Sequence, residues 1–303
     1  MRVLLVSDMH YTTEETHDEL KRLHPEANAS LAAGSAFGYT QHEKVQKVLQ
    51  AILWEHERSP LDLVLVLGDL SLDDFGFRNL PDNYCRRFLE ECMRKCPCPV
   101  YALPGNHDSY PERQWREVFG YGRQYALERG GALFVMLDHF RTCPAAGASG
   151  SPYTPADTAF LSEVLAAHPG MPVFLCAHHV QEAGESEEFR RIVRENRNIV
   201  CLFRGHTHRN AVIRLDESYG EKYLIDIGGY AYNGMVINGR YSFGQLDPAW
   251  AWGYQMLELG EGAARLYHRK PAMHYSADNG EFDLPECISG KLEIPLPMAA
   301  RTV

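Results

Sequence analysis

The order of apolar runs along the chain predicts an α/β fold, and three observations carry that prediction. Short apolar runs of strand length recur at RVLLVS (from Arg2), DLVLVLG (from Asp62), PVYAL (from Pro99), ALFVMLD (from Ala132), PVFLCAH (from Pro172) and IVCLFRG (from Ile199). Stretches with helical periodicity lie between them. From about Asn210 the pattern changes to shorter β-type segments (AVIRL, KYLIDI, YQMLEL, ARLYHR), with turns expected at Gly228-Gly229 and from Gly260 to Gly262. Alternation of strands and helices argues for a largely parallel sheet, and the late segments argue for added antiparallel strands.

Each element has its own local reason. After the first strand, residues 11 to 39 are polar and contain Gly and Ala, which suits an insert over a site. TQHEKVQKVLQAILWEHE then opens with Thr40 and Glu43 at capping-box spacing and puts Val45, Val48, Leu49, Ile52 and Leu53 on one face, so a helix is expected. A second helix is expected from Asn83 to Lys95, with Cys85, Cys92 and Cys96 on one face, and a short one after Pro111. In TPADTAFLSEVLAAH, Thr154 is the expected N-cap and Pro155 the first helical residue. A charged helix is expected over Glu187 to Glu195. Without repeats or a low-complexity linker, residues 1–270 read as one domain. Residues 271–303, with Pro271, Pro285, Pro295 and Pro297, read as an extended C-terminal tail.

The chain has 303 residues, 45% of them hydrophobic, and a net charge of −10. That acidic balance argues against a protein that grips nucleic-acid backbones through a basic surface. It leaves room for a small anionic substrate, because bound metal can override the global field locally. No run approaches the roughly 18 to 20 apolar residues of a spanning helix, and the start lacks the pattern of a signal peptide. The eight cysteines are scattered and read as reduced thiols in a cytoplasmic protein. Cys96 and Cys98 have no matching second pair for a zinc site.

Chemistry gathers at the carboxyl ends of the expected strands, the edge where open α/β sheets bind ligands. The strands end in Asp8-Met9-His10, in Gly68-Asp69, in Gly105-Asn106-His107-Asp108, in His178-His179 and in Gly205-His206-Thr207-His208. Any one of these is an ordinary polar turn or cap. Five together are a poor fit to loop polarity alone. His206 and His208, spaced i, i+2, would point the same way in extended chain and converge on metal from one loop. Imidazole, carboxylate and amide ligands without thiolate suit zinc, iron, manganese, cobalt or nickel. Two divalent ions, set against two carboxylates and a hydroxide, would keep a positive surplus for phosphate. Having Asn rather than Asp at 106 preserves that surplus.

DMH, GDL, GNHD, AHH and GHTH, in this order over residues 8 to 208, resemble the ordered motifs of the calcineurin-like metallophosphoesterases. Within that family the spacing is most similar to the bacterial class III cyclic nucleotide phosphodiesterases. The resemblance implies a four-layer αββα sandwich with two facing mixed β-sheets and a dinuclear centre of manganese, iron or zinc at the strand ends. It implies that Asp8, His10 and His208 hold the first ion, that Asp69 bridges, and that Asn106, His178 and His206 complete the second. His107 would be catalytic, protonating the leaving oxygen or steadying the transition state, while a metal-bridging hydroxide attacks phosphorus. Asp108 would brace the turn or orient a neighbour.

Two features depart from the family pattern. His179-Val180 stands where many members carry proline, which leaves His178 or His179 as the ligand, His178 favoured. Leu72 stands where some protein phosphatases carry an Asp, with Asp73 and Asp74 just beyond. On the substrate side the candidates are Tyr11, Tyr39, Tyr110, Arg204, Arg209 and the aromatic stretch PAWAWGYQM from Pro248. The expected activity is hydrolysis of a small phosphodiester. The alternatives are a phosphomonoesterase, a nuclease of the same fold and a non-catalytic scaffold. The expected partner is a small phosphate ester, with no membrane or nucleic acid, and a homodimer is admitted.

Overall fold

A computed structural model of the chain describes residues 1–11, 41–71, 84–142, 150–208, 210–229, 236–237, 240–241, 253–271, 285–287 and 292–297. The insert beyond Tyr11, Thr40 with its capping box, Tyr39, Asp73, Asp74, Arg209 and residues 248–252 of the aromatic stretch lie outside the described residues.

Two mixed sheets carry the fold. In the first, β1 (Arg2–Val6), β2 (Leu63–Leu67) and β3 (Val100–Leu103) run parallel. β12 (Tyr254–Leu259) pairs antiparallel with β1, and β13 (Ala263–Pro271) pairs with β12. Within 271–303, the described strands β14 (Pro285–Cys287) and β15 (Leu292–Pro295) both pair with β13. The second sheet has a parallel core of β5 (Ala132–Leu137), β6 (Val173–Ala177), β7 (Ile199–Arg204) and β9 (Tyr223–Ile227). Its antiparallel edges are β4 (Tyr125–Arg129) and β8 (Asn210–Arg214). A short pair, β10 (Val236–Ile237) with β11 (Arg240–Tyr241), stands apart.

The strand period of two sorts each apolar run between two cores. Val3, Leu5, Leu63 and Leu65 of the first sheet pack with Phe134, Phe174, Cys176 and Phe203 of the second. The alternate residues Leu4, Val6, Val64 and Val66 face outward. There they meet Val48 and Ile52 of α1 (Gln41–Arg58), Phe88 of α2 (Tyr84–Glu91) and Trp115 of α3 (Glu112–Phe119). On the far side, Leu133, Val135, Leu175 and Leu202 pack against Leu161 of α4 (Thr158–Ala167) and Phe189 and Val193 of α5 (Glu187–Glu195). The layers are therefore helix, sheet, sheet, helix. Strands covered on both faces read as unbroken apolar runs, which is how the sequence presents them.

Three local expectations are corrected. Leu53, placed on the apolar face of α1, is 37% exposed, because it lies at the edge of the stripe set by Val48, Leu49 and Ile52. α4 begins three residues later than expected. Its N-cap is Asp157, whose carboxylate accepts from Phe160 N at 3.1 Å, while the Thr154 hydroxyl is spent on the His139 carbonyl at 2.9 Å. α2 stops at Glu91, and a short 3₁₀ turn, Met93–Lys95, replaces its last part. Cys85 and Cys92 are buried, and they are free thiols, as are Cys96, Cys98, Cys176 and Cys201. No helix among the described residues is long and apolar enough to cross a membrane.

Candidate metal centre

β1, β2 and β3 from one sheet and β6 and β7 from the other end on the same side, and their polar endings converge. Asp8, His10, Asp69, Asn106 and His178 are all buried. Their side chains, with His107, His206 and His208, supply three overlapping groups of closely spaced ligand atoms: Asp8–His10–His208, His10–Asp69–His107 and Asp69–His178–His206. Asp69 joins the two ends. Its Oδ2 lies 3.8 Å from His10 Nε2 on one side and 3.1 Å from His178 Nε2 on the other, and its Oδ1 accepts from His107 N at 2.8 Å. At the first end His208 Nε2 lies 3.0 Å from Asp8 Oδ1. At the second, Asn106 Oδ1 lies 2.9 Å from His206 Nδ1 and 3.2 Å from His178 Nε2.

The backbone is strained to achieve this. Six non-glycine residues have a clearly positive φ among the described residues, and five of them are ligand candidates: Asp8 (57°), His10 (43°), Asp69 (50°), His206 (61°) and His208 (51°). Residues other than Gly seldom adopt this left-handed conformation, Asn, Asp and His more readily than the rest, and such backbone concentrates at functional sites. It also overturns the extended-chain reading of His206 and His208. The loop is left-handed at both residues, so His206 turns to Asn106 and His178 while His208 turns to Asp8.

Two glycines make the close approach feasible. A Cβ on Gly105 would overlap both the carboxylate and the backbone nitrogen of Asp69, and one on Gly205 would overlap the Ser7 side chain. Asp108 holds the turn, as expected. Its buried carboxylate accepts from Gly105 N at 2.9 Å, and from Leu70 N and Ser71 N at 3.1 Å each. Burial and nearby Asp69 raise the Asp108 carboxyl above its usual value against those three donors.

The donor set fits a cation. Burial pushes His10 down to about 3 and His206 to about 4, so both rings are neutral and carry lone pairs. Burial opposes charge on Asp8 and Asp69, yet His208 holds Asp8 at about 2, and His178 with His107 holds Asp69 well below the usual carboxylate range. His178 Nδ1 sits 2.8 Å from the Leu67 carbonyl, which accepts its proton and fixes the tautomer. Its Nε2 then faces Asp69 Oδ2, Asn106 Oδ1 and His206 Nδ1. Asp69 Oδ2 and Asn106 Oδ1 are both acceptors, so a proton or a cation suits the space between them and that nitrogen. Without metal it is a proton, which Asp69 and Asp8 hold on His178 up to about 9 against burial. A metal ion held by these side chains would take the place of that proton.

His178, and not His179, falls within these groups of closely spaced ligand atoms. The His179 ring packs against His206 with centroids 4.3 Å apart. His107 is half-buried and set edge-on to His10 at 4.9 Å, close enough to the middle group to be counted among possible ligands. Two substrate-side candidates are corrected. Tyr11 is fully buried and its hydroxyl bonds Glu91. Arg204 is buried and ion-paired to Asp226. Tyr110 lines a cavity of about 470 Å³, together with Ser109, Arg141, Phe140, Ser151 and Phe160. Sequence reasoning missed Phe140, whose ring lies 5.7 Å from His178 and 6.3 Å from His206. It also missed Ser151, whose N–H bonds the Asn106 carbonyl at 2.9 Å. Both follow strands or turns with no motif to mark them.

An αββα sandwich whose strand ends gather histidines and carboxylates around a shared aspartate defines a metallohydrolase scaffold. The family model of the calcineurin-like phosphoesterases matches residues 1–210, and the chain belongs to that family. No curated protein matches the chain. Among solved structures, PhoD is similar at a TM-score of 0.56 and 11% identity over 97% of this chain and 71% of its own. GAP50, described as the anchor in the inner membrane complex of Plasmodium, is similar at 0.52 and 11%, over 98% and 89%. A single mutant of Vps29 from Entamoeba histolytica aligns over 97% and 99% at 13% identity and a TM-score of 0.43.

Proposed function

We propose that the chain is a dinuclear metal-dependent phosphoesterase that hydrolyses a small phosphodiester. The observation that carries this reading is the shared Asp69, with Asp8, His10 and His208 to one side and Asn106, His178 and His206 to the other. In this assignment the first three would hold one ion and the last three a second, with Asp69 shared between them. Two divalent ions so placed supply a polarised phosphoryl group and a nucleophilic water.

The chain's own residues do the rest. Asp8 and Asp69 stay ionised and give the centre its negative ligands. His107, whose backbone is anchored on Asp69, stands at the half-buried edge and protonates the departing alkoxide. The cavity favours a diester, since a diester carries a second organic arm that a monoester lacks. Phe140 lies between that cavity and the second group of ligands, and Ser109 and Ser151 join its wall to Asn106. Aromatic faces from Tyr110, Phe140 and Phe160 with polar edges from Arg141 and Ser109 suit a compact, partly polar arm.

The test is hydrolysis of a nitrophenyl phosphodiester against the matching monoester, with Mn²⁺ restored to chelator-treated protein. Faster cleavage of the diester is expected. A preference for the monoester would overturn the diester assignment, and cleavage of neither would overturn the catalytic one.

A further inference from the structure

Arg204 ends β7 immediately before the Gly205–His208 loop and is only 6% exposed. The register of the second sheet puts Ala177 beside it on one flank and Asp226, near the end of β9, on the other. Its guanidinium bonds in both directions. Nε pairs with Asp226 Oδ1, and Nη2 lies 3.5 Å from Oδ2. Nη1 donates to the Val180 carbonyl at 2.6 Å and to Glu182 at 2.9 Å. The Asp226 carboxyl also takes a hydrogen bond from the Thr207 side chain.

Val180 lies two residues beyond His178, and Thr207 separates His206 from His208. One buried ion pair therefore ties together the two loops that carry these three histidines. The backbone adds a further tie, from Gly205 N to the His178 carbonyl at 3.0 Å. A buried ion pair contributes little net stability compared with an apolar pair of the same size, so stability alone does not account for it. The left-handed conformations of His206 and His208 must be held by something outside the loop.

We propose that Arg204 and Asp226 are positioning residues for the metal centre: by clamping the two loops, they set the approach of the His178 and His206 imidazoles to a common ion. This rests on the reading of His178 and His206 as ligands. Supporting groups behind ligands change metal affinity by about 10- to 100-fold in other sites.

The experiment titrates metal-free protein with Co²⁺, read by calorimetry and by the visible spectrum of the bound ion, with far-UV circular dichroism and the metal-free unfolding temperature as controls for folding. Two variants are compared with wild type. Arg204→Lys keeps a charge opposite Asp226 but has one ammonium in place of a fork, so it cannot serve both loops. Arg204→Gln with Asp226→Asn removes the pair without leaving a buried charge. The expected result is one of two Co²⁺ binding events weakened about 10- to 100-fold, with an altered spectrum for that ion, in variants that remain folded. If the double variant does not fold, Arg204→Lys decides alone. A folded variant with wild-type Co²⁺ affinities, even at a lowered unfolding temperature, would overturn the clamp. Wild-type protein that binds no Co²⁺ would overturn the ligand reading itself, a result separable from failure of the clamp.

Discussion

Asp69 and His107 are neighbours in space with opposite expected roles, and the difference between them is burial. Asp69 is 2% exposed and stands between the two groups of ligand atoms, whereas His107 hangs on its backbone bond to Asp69 with its ring at the half-buried edge. Asp69→Ala is expected to leave the protein with neither ion in place. His107→Ala is expected to keep both ions and lose rate by about 10²- to 10⁴-fold, the usual contribution of a general acid. Elemental analysis beside turnover separates the two, and loss of metal from His107→Ala would make His107 a ligand. At this scale the sequence exposes the residue types but not their partners. Arg204 beside a histidine loop reads as a substrate-side candidate, but it is buried against Asp226, a neighbour it gains only through sheet register. Tyr11 follows His10 directly, yet it turns into the core to Glu91.

At the scale of elements, the strand endings were legible because apolar runs stop abruptly at Asp, Asn or His. Why glycine stands beside them was not legible, since the reason is a distance between two chains. Gly105 sits so close to Asp69 that an added methyl overlaps a backbone nitrogen, which cannot swing aside as a side chain can. Gly105→Ala is accordingly expected to lower stability by about 1–3 kcal/mol, the usual cost of overpacking, and to weaken metal binding. Denaturant unfolding of metal-free protein with a Mn²⁺ titration checks both, and an unperturbed variant would remove close packing as the reason for that glycine. The division of the strands between two sheets was hidden for a related reason. Runs covered on both faces show no alternation, so their two cores separate only once Val3 and Leu4 are seen to face opposite ways. The cap of α4 was misread because Thr154 and Asp157 are both good caps, and a contact distant in sequence, to the His139 carbonyl, decides between them.

Across the whole molecule, an acidic chain of net charge −10 is expected to handle an anionic ester, and the topology reconciles the two. Parallel strands of both sheets end on one side, so three endings from the first and two from the second meet around Asp69. That meeting concentrates candidate cation ligands in one place, where bound metal would set the local sign of the field. The central claim is that two ions act together there. Its most direct test is the rate of phosphodiester hydrolysis as Mn²⁺ is added stepwise to metal-free protein. A rate that stays low through the first equivalent and reaches its plateau at two is the predicted result. A full rate at one equivalent, or a rate indifferent to metal, would contradict it.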